Sequence, residues 1–488
     1  MAPGGEIKRL ARHSAIYGLG GTVSRILAVL LLPLYTHYLG RIGFGKIETI
    51  VALTTVLVIV LRLGVPSAFF RFYFDSPDPA QRTLLVRTSF WFTMTMATAG
   101  LIVGFAFASP IAHGLRLGND PWLVRAAFVG LWAQMNYEQL TSLFRVEQRS
   151  TAFLAASVSN VLITVGMTLL LVVGLHKGPT GAVIGNFVGT LCVYLVLLAY
   201  RRYQLGLQFD RELLRQMNRF GVPLVPAALA LWAINFIDRI FIAQFKGQAE
   251  VGIYSVAVRI SSAVVFLMIA FQLAWPAFAY SIEDDRRARH TYSYVLTYLL
   301  FVCSWVSLAL GLLAPWLVRL LARAPGFHRA SEAVALLAFG TTAYAGYSVL
   351  AIGVARARRT QFNWIVSGAA AIVNIVLNVI LIPPYGMEGA AIATAAAYLA
   401  LFLGMMLNAQ RVYHVPYQWR RVLTLAGVAV GLTVLGSALH VPLAVAIVVA
   451  LAYPLALLPL RFYQPDELGR LRSAVAAVGA RRTGQAAE

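Results

Sequence analysis

Apolar stretches of about 20 residues follow one another along nearly the whole chain, each long enough to cross the roughly 30 Å hydrocarbon core of a bilayer. Fourteen are expected, over 14–36, 47–69, 88–110, 122–143, 152–175, 180–200, 222–244, 251–279, 292–317, 332–354, 363–382, 387–408, 422–439 and 441–460. In lipid every backbone N–H and C=O must be satisfied within its own segment, so spans of this length must be helical. With 59% hydrophobic and only 12% charged residues in 488, the chain has too little polar surface for a soluble globule. The expectation is an all-α integral membrane protein.

A net charge of +21 would point to nucleic acid in a soluble protein. Here it follows topology. If the first span starts inside, 27 of the 40 Lys and Arg fall in segments on that side and nine on the other. Basic residues are retained on the cytoplasmic side, so both termini are expected in the cytoplasm of a cytoplasmic (inner) membrane, with no nucleic-acid partner. The first apolar run lacks a small-residue cleavage site and is expected to be a retained anchor. Cys192 and Cys303 both lie inside predicted spans, which argues against a disulfide or a metal site.

The chain is also written twice. Tyr38-Leu39-Gly40-Arg41-Ile42-Gly43-Phe44-Gly45 and Phe245-Lys246-Gly247-Gln248-Ala249-Glu250-Val251-Gly252 share two glycines at an offset of 207. Gly178-Pro179-Thr180-Gly181-Ala182 is echoed by Gly386-Met387-Glu388-Gly389-Ala390 at an offset of 208, and Pro66 by Pro276 at 210. Each copy holds six spans, an even number, so both copies face the same way. The expected organisation is a six-helix lobe over 1–200, a cytoplasmic amphipathic linker over 201–221, a second six-helix lobe over 222–410, two extra helices over 411–463 and a cytoplasmic tail over 464–488. A pseudo-twofold axis should stand along the membrane normal with a cavity between the lobes. Leu213, Leu214 and Met217 interleave with Arg211, Arg215 and Arg219 in the linker, the pattern of a helix lying on the inner leaflet. Pro33, Pro223, Pro226, Pro276 and Pro315 mark candidate kinks or span ends.

Four arginines, Arg25, Arg62, Arg239 and Arg259, fall within predicted spans. Each costs about 2.5–3.5 kcal/mol there on insertion scales, so each should face protein or a water-filled cavity. Asp238 is the natural partner, with Asn235, Ser255 and Ser262 nearby at helical spacing. Two readings compete. In one, Asp238 pairs with Arg259 or Arg239 and merely lets the lobe fold. In the other, the guanidiniums grip a diphosphate through parallel hydrogen bonds, because one aspartate cannot neutralise four cations. Glu48 is expected near the outer end of the second span, solvated or holding a coupling cation or proton. Glu138, toward the inner end of the fourth, is expected in a structural pair.

No Gly-x-x-x-x-Gly-Lys-Ser/Thr loop, His-Glu-x-x-His or Gly-x-Ser-x-Gly occurs, so neither ATP hydrolysis nor other enzyme chemistry is expected and no cofactor is implied. Glu283-Asp284-Asp285 is followed by three arginines and reads as a solvated charge run.

Pro33-Leu34-Tyr35-Thr36-His37-Tyr38-Leu39-Gly40 with Gly45, Arg219-Phe220-Gly221-Val222-Pro223-Leu224-Val225-Pro226, Asp238-Arg239, Val251-Gly252-Ile253-Tyr254 and Ile382-Pro383-Pro384-Tyr385-Gly386-Met387-Glu388-Gly389-Ala390-Ala391 together carry a family likeness. Over roughly 10–410 the chain resembles the Wzx-type polysaccharide flippases of the multidrug/oligosaccharidyl-lipid/polysaccharide exporter superfamily. It departs from them at His37, more often arginine, and at Arg41-Ile42-Gly43-Phe44, where a Pro-Glu-Glu-Tyr-like run is usual. The resemblance implies movement of a lipid-linked oligosaccharide from the inner to the outer leaflet. The partners it implies are that cargo, membrane lipids, a coupling ion and other polysaccharide-assembly proteins. Export of a peptidoglycan lipid precursor or a cationic drug stays open, although a cation would call for acids rather than arginines in the cavity. A polymerase or ligase would call for a larger outer loop than the roughly 15 residues available here.

Overall fold

The computed structural model describes residues 31–75, 77–465 and 467. Most of the first expected span, Arg25 and nearly all of the tail lie outside them. The described residues form helices throughout, without a strand. In order these are α1 (Leu32–Arg62), α2 (Val65–Asp75), α3 (Pro79–Ala106), α4 (Ala108–Gly114), α5 (Pro121–Val146), α6 (Ser150–Thr168, continued by a π-helical turn Leu169–Gly174), α7 (Gly178–Arg201), α8 (Arg211–Gly221) and α9 (Val225–Lys246). The second copy continues with α10 (Gln248–Ser261), α11 (Ala263–Ser281), α12 (Asp285–Leu321), α13 (Ala330–Arg356), α14 (Asn363–Tyr385) and α15 (Met387–Val412), and α16 (Trp419–Ala438) and α17 (Leu443–Ala456) follow. Eleven of the described helical stretches are long and apolar enough to cross a membrane. α5 is 26 residues long but carries Arg125, Gln134, Asn136, Glu138 and Gln139, and it is not among the eleven.

Local sequence sets several boundaries. Asp78 and Asp120 each accept a hydrogen bond from the first turn of the following helix, and each precedes a proline that needs no N–H there. Gly40 (φ 62°) bends α1, so the transmembrane part of that helix starts at Arg41, six residues before the sequence places it. Leu63 (φ 48°) and Gly64 (φ 73°) end it at Arg62, inside the stretch read as one span. The eighth span is broken at Ser262, between α10 and α11, rather than at Pro276, which stays within α11.

The duplication is visible in the backbone. Gly40 and Gly247 both adopt positive φ, at 62° and 87°, as do Gly178 and Gly386, at 59° and 60°. α1 and α10 pack side by side, and at their crossing a Cβ on Gly45 would lie 1.8 Å from the Gln248 carbonyl oxygen. A Cβ on Gly252 would lie 2.1 Å from that of Arg41. Gly45 and Gly252 are 207 residues apart, and so are Arg41 and Gln248. Each half therefore meets the other through the same surface, as at a twofold interface, and two backbones can approach this closely only without side chains.

Buried apolar residues show where the halves join. One cluster draws Phe44, Ile50 and Leu131 from the first half together with Ile242, Tyr254 and Val334 from the second. It also takes in Leu117 and Phe327, which lie in connections between helices, so it sits at the end that the basic-residue bias assigns to the outside. A further cluster, with Phe69, Phe144 and Tyr194, belongs to the first half and its linker, whereas one with Tyr292, Val349 and Tyr453 belongs to the second half and the extra helices. Polar ties reinforce the shared seam. Thr49 donates to Gln248 at 2.9 Å, Gln248 donates to the Leu115 carbonyl at 2.8 Å, and Gln244 donates to that of Gly114.

The linker helix α8 packs on α2 and α3. Met217 is fully buried there, with Leu213 and Leu214 packed against the same core, while the Arg215 side chain is 83% exposed. The apolar face read as lipid-facing is taken up by protein.

Candidate functional site

The three described arginines expected to hold a guest are met by carboxylates. Arg62 closes α1 and reaches α5, where it contacts Glu138 at 2.6 Å and donates to the Met135 carbonyl at 3.0 Å. Arg259, on α10, contacts Glu48 of α1 at 2.5 Å and lies over the ring of Phe44. Arg239, on α9, lies 3.5 Å from Glu48, contacts Asp238 at 3.0 Å and donates to the Asn235 carbonyl at 2.7 Å. Asp238 also accepts from the Tyr254 hydroxyl and, at 3.5 Å, from Thr394.

Among the described residues of this region three arginines thus face three carboxylates, so the count of one aspartate against four arginines leaves out Glu48 and Glu138. Asp238 pairs with Arg239 and leaves Arg259 to Glu48. Glu48 lies two turns past the Gly40 bend in α1, beneath the glycine crossing, and is buried rather than solvated. Glu138 takes the structural partner expected of it. Both arginine contacts to Glu48 cross from one half to the other.

A cavity of about 310 Å3 opens beside this network. Among the described residues its walls come from α1, α5, α6 and α7 of the first half, with Arg259 the sole lining residue from the second. Among the described residues that line it, amides and hydroxyls of the first half predominate over the arginines that the sequence singles out. The polar lining is Gln134, Glu138, Asn160, Thr164, Asn186 and Thr190, with the phenols of Tyr35 and Tyr137 beside them. Gln134 donates to Glu138 at 2.9 Å, and Thr164 and Thr190 each donate to the Asn160 side chain at 3.2 Å. Amides and hydroxyls both donate and accept, so such a wall can match the alternating hydroxyls of a sugar.

Of the residues singled out from sequence, Arg259 reaches the cavity and Arg62 borders it through Glu138. Arg239 stands behind Glu48. Asn235 turns away, donating to the Leu231 carbonyl and accepting from Tyr398, and Asp238 is enclosed in the second half. Ser262 donates to the Arg259 carbonyl, while the buried Ser255 hydroxyl has no partner. Arg25 lies outside the described residues. The cavity's amides and hydroxyls were missed, yet they carry a pattern: Gln134/Glu138, Asn160/Thr164 and Asn186/Thr190 each put two polar groups four apart on three consecutive spans. Groups so spaced share a helix face.

A second concavity, about 780 Å3, lies between α12, α13, α15 and α16 and is almost wholly apolar, lined by residues such as Leu300, Phe339, Leu399, Met406 and Leu425.

Residues 10–282 match the family model described as polysaccharide biosynthesis protein, and residues 223–380 match the one described as MatE. An uncharacterized membrane protein of Haemophilus influenzae is 24% identical over 275 residues, which cover 54% of this chain and 63% of that protein. The chain thus spans less than two thirds of that relative's length. The solved structure of the lipid II flippase MurJ in an inward closed conformation superposes with a TM-score of 0.74 at 14% identity, over 90% of this chain and 98% of that one. An inward-facing multidrug resistance MATE family transporter of the MOP superfamily gives 0.63 at 14%, over 80% and 98%. At such identities the likeness speaks to the fold, which is that of transporters and flippases. The first family model covers more than half of the sequence, and with it the chain belongs to the polysaccharide biosynthesis protein family of the multidrug/oligosaccharidyl-lipid/polysaccharide exporter superfamily.

Proposed function

We propose that this chain is a Wzx-type flippase that carries a polyprenyl-diphosphate-linked oligosaccharide from the inner to the outer leaflet of the cytoplasmic membrane. The observation that carries the proposal is the polar first-half cavity with one guanidinium in its wall. Its amides, hydroxyls and phenols suit the sugar, and Arg259 suits the diphosphate. The seam at the outer end closes this state on that side, so the cargo enters from the cytoplasmic side while its lipid tail stays in the bilayer. The six-helix lobes, 1–200 and 222–410, then rock to open the other end. Both termini stay in the cytoplasm.

A peptidoglycan lipid precursor is the second reading, favoured by the likeness to the lipid II flippase. Such a precursor carries a diphosphate and sugars too. A cationic cargo fits less well, because Glu138, the carboxylate in the cavity wall, is already paired with Arg62.

The test uses protein reconstituted in liposomes and measures transfer between leaflets of a labelled polyprenyl-diphosphate oligosaccharide, a peptidoglycan lipid precursor and a cationic dye. The proposal expects the oligosaccharide to move fastest. Transport of the dye alone would contradict it. Replacing Asn160 by leucine and Thr164 by valine removes two hydrogen-bonding groups worth about 0.5–1.5 kcal/mol each. Transfer of the glycosylated lipid should fall roughly tenfold, and that of the sugar-free polyprenyl diphosphate should stay within about twofold. Equal losses for both lipids would place the sugar elsewhere.

A further inference from the structure

Glu48 is the single first-half acid found in contact with Arg239 and Arg259 of the second half, with a side chain 8% exposed. Arg259 is placed differently. At 20% exposure it lines the cavity, which Glu48 does not. Among the described residues, three first-half groups surround its guanidinium: the Glu48 carboxylate at 2.5 Å, the Phe44 ring at 4.9 Å and the Tyr35 ring at 5.9 Å. Because Arg259 lines the cavity and is partly exposed, a ligand there can reach its guanidinium.

We propose that Glu48 is an internal stand-in for the cargo's phosphate, holding Arg259 while the cavity is empty and losing it when a diphosphate arrives. The inference rests on the diphosphate cargo proposed above. Charge supplies the reason for exchange: among the described residues Arg239 and Arg259 face Glu48 and Asp238, two cations to two anions. A diphosphate adds at least two negative charges, and like charges held this close in a dry site repel strongly. Asp238 is fixed by Tyr254 and by the Arg239 backbone N–H, so Glu48 is the member that yields.

The exchange has a mechanical consequence. Glu48 follows Gly45 by three residues, directly beneath the crossing where the two backbones touch. Its contacts are the ionic tie between the halves at the closed end. Loading the cavity would cut that tie, so the outer seam would loosen only after cargo is bound. A diphosphate shared between Arg259 and the first half would replace the tie during passage, and its departure would return Arg259 to Glu48 and reset the seam.

The test places spin labels at Arg116→Cys and Arg323→Cys, two exposed positions on opposite halves at the outer end, in a background with Cys192 and Cys303 replaced. Farnesyl diphosphate serves as the probe and farnesol as its uncharged control. Wild type should show one short distance, lengthened by farnesyl diphosphate and unchanged by farnesol. Glu48→Gln should show the longer distance without probe and bind farnesyl diphosphate at least fivefold more tightly. Glu48→Asp, which keeps the charge on a shorter arm, should fall between and covers the event that the glutamine variant does not fold. The charge-swapped Glu48→Arg/Arg259→Glu protein should regain the short distance and ignore the probe.

A short distance in both Glu48→Gln and Glu48→Asp, with unaltered affinity, would overturn the stand-in role. It would leave the cargo proposal standing if wild type still bound the diphosphate. Absence of farnesyl diphosphate binding to wild type, with the longer distance still produced by Glu48→Gln, would instead overturn the cargo reading and reduce Glu48 to a structural tie.

Discussion

Replacing Gly45 or Gly252 by valine should destabilise the protein by about 3 kcal/mol or more, at the upper end of what overpacking costs, because the obstructing atoms are backbone. A Cβ at these positions would sit 1.8 Å and 2.1 Å from carbonyl oxygens of the opposing helix. Neither carbonyl can rotate aside without giving up its helix hydrogen bond. The helices must part, and the polar ties from Thr49 to Gln248 and from Glu48 to Arg259 part with them. The two glycines are partners in one interface, so the variants should be similar in size and the double variant far from additive, since a seam already opened costs little to open again. Gly431→Ala is the control: no atom lies within 4 Å of the Cβ it would add, and loss of a flexible residue should stabilise α16 by up to about 1 kcal/mol. Thermal midpoints in detergent, followed by size-exclusion fluorescence, check all four. Mild, additive effects of Gly45→Val and Gly252→Val would show that the halves do not meet through matched surfaces.

Replacing Asp238 by asparagine should cost about 3–5 kcal/mol, the range found when one member of a buried ion pair is removed and the other charge stays. The Asp238 side chain is 2% exposed and that of Arg239 is 5%, so water cannot make up the loss. The four-member set would carry a net positive charge, with Glu48 alone shared between two guanidiniums. Pairing Asp238→Asn with Arg239→Gln restores balance and should recover most of the stability, leaving Glu48 with Arg259. If the double variant is as unstable as the single, the contribution of Asp238 lies in its hydrogen bonds to Tyr254 and Thr394 and not in its charge.

The fold was legible because its signals are local. Apolar length marks the spans, and a glycine that must turn left-handed or admit a neighbouring backbone leaves the same imprint in both copies, as at Gly40 and Gly247. The ion pairs were less legible. Arg41 and Lys46 push the apparent start of the second span to 47, which puts Glu48 at the water's edge. The bend at Gly40 within α1 in fact lets regular helix resume at Arg41, and the contact between Gly45 and Gly252 seals the region above Glu48. Nothing local in the sequence says that two backbones, 207 residues apart, will touch there. Arg62 was misplaced for a related reason: the left-handed Leu63 and Gly64 end the helix where hydropathy runs on. Gly64 is required because a Cβ there would lie 2.2 Å from the Gly221 carbonyl oxygen, a tertiary fact.

The polar lining was legible and was passed over. Single Asn and Thr residues in apolar helices are usually packing groups, and three i, i+4 pairs gain meaning only when α5, α6 and α7 turn the same faces inward. Net charge misled in the other direction. Four intramembrane arginines suggest a basic chamber, whereas the three described ones are met by Glu138, Asp238 and Glu48, and among the described residues one guanidinium edge lines the cavity. On the function proposed above, release of a diphosphate gains from this, because a guanidinium already holding a carboxylate grips a cargo by the difference between two anions rather than by its full attraction to one.

On the proposed function, Arg259 makes a contact with the cargo's diphosphate as the headgroup crosses. The most direct measurement of that contact is the transfer rate of a labelled polyprenyl-diphosphate oligosaccharide across liposomes holding wild type, Arg259→Gln or Arg259→Lys at equal folded protein. A charge-assisted contact of about 1.5–3 kcal/mol predicts that Arg259→Gln is slowed by roughly 10- to 100-fold, with Arg259→Lys in between because a point charge lacks the planar fork. Transfer at the wild-type rate by well-folded Arg259→Gln would contradict the account.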